Sequence, residues 1–173
     1  MDWYVIVLRL IHILSGVFWV GAATAFFLFV QPSIVAAGPA GGPVMREISV
    51  VRRFPMIQTI AATLTVLAGF LLYVKDSAGF DTGWIFGAGG IGFTIGGLAA
   101  FGAWVAGLGA VRPRVTRLGA IGAAVAASGG PPDAEQQSEI GRIQGELRSL
   151  GVAHVVLFVI AVAGMASARY LAF

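Results

Sequence analysis

Cysteine is absent from the 173-residue chain. That excludes disulfides, thiolate zinc sites, iron–sulfur clusters and thiol catalysis. Charge is scarce as well, with Asp, Glu, Lys and Arg together making only 11% of the residues. A soluble domain carries about a quarter. Hydrophobic residues make up 58%, and the mean hydropathy is +0.89. A chain so poor in charge cannot cover its surface for water, so lipid must be most of its solvent. No carboxylate interrupts the long apolar runs, and no serine–histidine pair has an evident partner. Hydrolytic chemistry is therefore not expected. The basic excess is small, 11 Lys+Arg against 8 Asp+Glu. It points to anionic lipid headgroups and not to nucleic acid.

What is present is four apolar runs, about 4–30, 55–75, 84–110 and 151–172. Each exceeds the roughly 18 residues that suggest a membrane-crossing helix. The expected fold is all-α, an integral membrane four-helix transmembrane bundle forming a single domain over 1–173. The first run carries Asp2 where a signal peptide has basic residues, and it lacks a small-x-small cleavage site before Gln31-Pro32. It reads as a mature span. After it, Pro32, Pro39, Pro43 and several glycines are expected to break any helix. A short turn, "KDSAGFDTG", separates the second and third runs.

The longest polar stretch is 112–150, where "GGPPD" stops whatever precedes it and Asp133 is a helix N-cap. Ile140, Ile143, Leu147 and Leu150 then recur at helical spacing opposite Glu135, Glu139, Arg142 and Glu146. The expectation is a short amphipathic helix lying at the membrane interface and running into the fourth span. Eight arginines flank one side of the bundle, against Arg9, Lys75 and Arg169 on the other. By the bias of basic residues toward the cytoplasm, 112–150 is cytoplasmic and both termini are outside. Trp3, Tyr4 and Tyr170 then form the outer aromatic belt. The third run is saturated with small residues, Gly92, Gly96 and Ala100, and Ala99, Ala103 and Gly107. Such a face serves close helix packing or a flat groove for a planar ligand, and glycine alone does not distinguish the two.

Ionisable groups inside lipid are expensive and therefore functional candidates. They are Arg9, His12, His154 and Arg169, while Thr59, Thr63, Thr65 and Thr94 can bond back to their own helices. His12 shares a helix face with Arg9, Gly16, Trp19 and Ala23. It lies about 13 Å below Trp3, whereas His154 lies about 24 Å below Tyr170 at the far end of its span. A bis-histidine haem would need ligands at similar depth, and these two differ by about 11 Å. Met165, about 8 Å below Tyr170, is level with His12 to within a helical turn. His12 and Met165 form a possible axial pair for a b-type haem. Arg9 and Arg169 are placed one turn further out for its propionates. Three simpler readings stay open. His12 can be a neutral imidazole that stitches two helices, Met165 a filler, and the arginines snorkelling residues. Copper through His12 and Met165 is the alternative, although Met1, Met45, Met56 and Met165 form no cluster.

The segment "LRLIHILSGVFWVGAATAFFLFVQPSI" resembles the first helix of the copper-resistance protein D-like proteins and related domain-of-unknown-function families of bacteria. In these a histidine precedes an aromatic by seven residues and then a glycine, as His12, Trp19 and Gly21 do. It is similar also to the first helices of bacterial membrane urate oxidases and of haem-binding membrane protoporphyrinogen oxidases, where the first-helix histidine is taken as a haem ligand. The resemblance implies a bacterial inner-membrane protein with His12 as the family-type site and Trp19 as its packing partner. It does not extend to the cytochrome c domain of the urate oxidases, since the chain has no CxxCH. The functions to weigh are membrane electron transfer or haem handling, copper transport, and an accessory subunit of a larger membrane complex or homo-oligomer.

Overall fold

A computed structural model describes residues 2–171. Four helices, Trp3–Ala36, Phe54–Asp76, Ile91–Ser128 and Ala134–Tyr170, are each long and apolar enough to cross a membrane. They are called here the first to fourth spans. Together they make an all-α bundle, with no strand among the described residues. The outward faces are apolar, with Leu14, Val17, Phe29 and Leu98 each about two-thirds exposed or more. Side chains of that kind face outward only where hydrocarbon is the solvent.

The spans pack as two tight pairs, first with second and third with fourth. Between the third and fourth, the small-residue face closes at Gly92 and Gly96. A methyl added at Gly92 would lie 2.7 Å from the Gly164 carbonyl oxygen, and one at Gly164 would lie 2.8 Å from that of Gly92. The stripe is therefore a packing face around Gly92 and Gly96, while its other end, at Gly107, is not closed. At mid-height Trp19, Ala23, Ala61, Ala62, Ala103 and Phe158 form the shared core. The rings of Trp19 and Phe158 meet edge-on at 5.1 Å, joining the two pairs. The second and third spans are joined by polar contacts, Trp104 Nε1 donating to Thr63 Oγ1 at 3.1 Å and Tyr73 bonding Thr94 at 2.7 Å.

Two prolines do not stop the helices that contain them. Pro32 follows a π-helical turn at Phe26–Val30, and Pro113 follows another at Gly107–Val111. A proline ring clashes with the carbonyl four residues back and cannot donate to it. Opening the preceding turn to i→i+5 bonding relieves that conflict, so the helix bends and continues. The break expected at Pro32 falls instead after Ala36, where Gly38 takes a positive φ of 56°. A short helix, Gly41–Arg46, and a π turn, Glu47–Val51, follow. Arg53, left-handed at φ 53°, ends that segment and starts the second span.

Helical extensions occupy the polar 112–150 stretch. Arg112–Ser128 continues the third span beyond the apolar run, Gly129 ends it at φ 69°, and the fourth span starts at Ala134. Asp133 and Gln136 form a reciprocal capping box. The apolar face of 134–150 turns onto the preceding helix instead of the lipid interface. Ile121, Ile143 and Leu147 are buried there together. The rim is held by charges. Arg117 grips Glu139 with two bonds at 2.8 Å, while Arg114 and Arg142 reach Glu146 at 2.5 and 2.6 Å. Arg117 holds the Glu139 carboxyl below its ordinary pKa, and Arg114, with Arg142, does the same to Glu146. The third helix has 38 residues and the fourth 37. That is about 55 Å each, against roughly 30 Å of hydrocarbon, so this hairpin stands clear of the membrane core.

Candidate functional site: an anchored histidine and an intramembrane cavity

His12 sits in the seam between the first and second spans. Its Nδ1 lies 2.8 Å from the main-chain oxygen of Thr65. The partner is a carbonyl, so Nδ1 carries the proton and donates it. The ring packs against Gly69, where an added methyl would come within 2.7 Å of Cε1 and 2.8 Å of Nδ1. Thr65 Oγ1 is 2.8 Å from Ala61 O and 2.9 Å from Ser15 Oγ, and Ser15 Oγ donates to Ile11 O at 2.5 Å. Thr65 thus bonds back to its own helix, as expected of a membrane threonine, and it is also the polar centre of the seam. A backbone acceptor has no signature in residue type. The legible clue was the pairing of small Gly16 and Gly69 with the two polar side chains.

Met165 lies in the other seam. Its Cγ would be 2.9 Å from a methyl added at Gly96, so the side chain fills the gap opposite that glycine. The equal depth of His12 and Met165 holds, since each lies seven residues outward of the Trp19–Phe158 contact, about 10 Å along its helix. Their neighbours differ, however. His12 is held by the second span and Met165 by the third. Arg9 and Arg169 are both exposed, and Trp19 is buried in the shared core.

His154 is buried at 4% exposure and carries a carbonyl on each side, Leu150 O at 2.8 Å from Nδ1 and Ala103 O at 3.0 Å from Nε2. A neutral imidazole has one N–H and can donate to only one of them. No group of three His, Cys, Asp or Glu side chains among the described residues could hold a metal ion.

A second feature was not anticipated. A cavity of about 560 Å³ opens among all four spans at the arginine-rich end. Its walls include Trp19, Phe26, Phe27, Phe54 and Trp104. Polar residues also line it, among them Ser49, Gln58, His154, Arg53 and Arg112, with Gln31, Thr59, Thr116 and Gln144. The Gln58 amide is shielded from solvent, and neither its nitrogen nor its oxygen has a hydrogen-bond partner; Ser49 Oγ is in the same condition. Buried polar atoms are nearly always paired, and leaving one unpaired costs about 1–3 kcal/mol. A glutamine in an otherwise apolar span was the available clue, and it is no less telling than a charge.

An all-helical, multi-pass bundle with an aromatic-walled cavity and unpaired polar atoms on the wall is a membrane protein with room for a lipid-soluble guest. No protein family, curated protein or solved structure compared with the chain matches it.

Proposed function

We propose that this is a membrane-embedded binding protein that takes a lipid-soluble molecule into the cavity beside Gln58. The observation that carries it is the Gln58 amide, buried with both polar atoms unpartnered on a wall of aromatic and aliphatic groups. Sites for small molecules have this composition, mostly apolar with a few polar groups that orient the guest, and volumes of about 300–1,000 Å³. A polyene fatty-acid methyl ester tests it. Bound in the cavity, the polyene would accept excitation from Trp19 and Trp104 and saturate at one per protein. Gly107→Leu fills the space, since an added carbon there meets nothing nearer than His154 Nε2 at 3.7 Å. Saturable transfer in the wild type and its loss in Gly107→Leu support the reading; transfer unchanged by that substitution refutes it.

A second reading rests on His12. A ligating histidine is usually oriented by a bond from its other ring nitrogen to a carbonyl or carboxylate. Thr65 O supplies such a bond, which leaves His12 Nε2 available. A b-type haem held there would serve membrane electron transfer or haem handling, with His12 as its ligand and Met165, which lies in the other seam, as the weaker second. A dithionite-reduced spectrum with an α-band that disappears in His12→Ala supports this second reading, and a colourless protein from haem-replete cells removes it. Copper through the same pair would require Cu(I) to be retained by the wild type and lost in Met165→Leu. For the setting, the proposal is a bacterial inner membrane with both termini outside and the arginine-rich end in the cytoplasm, testable by reporter fusions at either end.

A further inference from the structure

We infer that the guest is an anionic single-chain amphiphile, held with its charged oxygen head at Arg53 and Arg112 and its chain among the aromatics. This rests on the cavity reading above and adds the chemistry of the guest. Both arginines line the cavity, and no Asp or Glu is among its lining residues. Neither guanidinium takes part in an ion pair among the described residues, although Arg114, Arg117 and Arg142 nearby all do. The lining therefore carries two arginines, both exposed, with no acidic side chain among the lining residues to balance them.

The placement along the helices gives the cavity a polarity. Arg53 stands at the start of the second span, five residues before Gln58, about 7 Å along the axis. Arg112 follows Gly107 by the same interval in the third span. The left-handed backbone at Arg53 and the π turn before Arg112 are local departures from regular helix at the two places where the basic groups enter the wall. Beyond them, toward mid-membrane, come Gln58, then Ala62, Trp19 and Ala103. A charged, hydrogen-bond-accepting head followed by an apolar chain matches that sequence of surroundings. Gln58 Nε2 and the Ser49 hydroxyl donate to oxygens of the head, which relieves two of the three unpartnered atoms. An acyl carboxylate and a lipid phosphate monoester share this chemistry.

The experiment uses the full chain in phosphatidylcholine nanodiscs at about pH 9, where a carboxylic acid is ionised even with its pKa raised by the bilayer. cis-Parinaric acid and its methyl ester are titrated separately, with energy transfer from tryptophan as the readout. The acid is expected to bind at least about ten-fold more tightly than the ester, the worth of one hydrogen bond to a charged group. In Arg53→Gln/Arg112→Gln the preference should fall toward one while ester binding is retained. If that variant fails to fold by circular dichroism, Arg112→Gln alone must lower the preference. Displacement of the acid by palmitate or by lysophosphatidate distinguishes the two sources of the head group. Equal binding of acid and ester to the wild type overturns this inference and leaves the cavity reading standing. Binding of neither above the level of Gly107→Leu overturns the cavity reading itself.

Discussion

Gly96 and Gly97 are neighbours on one helix, and alanine should be better tolerated at Gly97 than at Gly96. In a helix interior, Gly→Ala gains about 1 kcal/mol of propensity at either position. The contacts then separate them. At Gly97 the new methyl meets nothing within 4 Å. At Gly96 it would lie 2.8 Å from the Ala161 carbonyl oxygen, 2.9 Å from Met165 Cγ and 3.2 Å from Met165 N. The methionine can swing away, but the carbonyl oxygen and amide nitrogen belong to the backbone of the fourth span. Restoring ordinary contact requires the helices to part by roughly half an ångström along the seam, and overpacking of that kind costs about 1–3 kcal/mol. Gly97→Ala should therefore stabilise by up to about 1 kcal/mol, while Gly96→Ala should range from neutral to about 2 kcal/mol less stable than wild type. Reversible unfolding by SDS in mixed micelles, followed by tryptophan fluorescence and circular dichroism, measures both. Because the propensity term is common, the gap between the variants isolates the seam. If Gly96→Ala proves as stable as Gly97→Ala, the third and fourth spans do not meet through this face.

Further outcomes follow from single contacts. Gln58→Leu removes two unpartnered polar atoms from an apolar wall, so the ligand-free protein should gain about 1–3 kcal/mol in the same unfolding assay. Gly69→Ala must push the His12 ring off Thr65 O, so the Nδ1–H resonance of His12 should shift or vanish in a nitrogen-15 spectrum. Thr65→Ala should preserve that resonance, because the acceptor is main chain. Asp133→Ala removes the capping box and should cost about 1 kcal/mol, seen as faster amide exchange at the start of the fourth span. Glu139 and Glu146 have lowered pKa values in the fold. Their contribution is present above the ordinary glutamate pKa of about 4.3 and is lost as pH falls through the lowered values. Acidification should therefore lower amide protection factors, corrected for the slower intrinsic exchange at low pH, within 112–150 before it affects those of the apolar spans.

Lipid as solvent, four spans and the helix starting at Asp133 could all be read from composition and periodicity, because hydropathy and capping are local properties of the chain. The depth of His12 relative to Met165 was legible for the same reason, since helical rise turns residue number into distance. Which side chain stands beside His12 was not. That depends on how the spans pair, and it took the approach of the second span, with Gly69 beneath the ring and a backbone oxygen as acceptor, to decide it. Pro32 looked like a helix stop because a proline's local clash is visible in sequence, whereas the π turn that absorbs it is set by the surrounding bundle. The apolar stripe on 134–150 announced a buried face but not what would cover it. Packing gave it the preceding helix in place of the membrane surface. The cavity belongs to tertiary structure, for an unfilled space is a property of four helices and their bends, and the one trace of it within a single span is the polar Gln58.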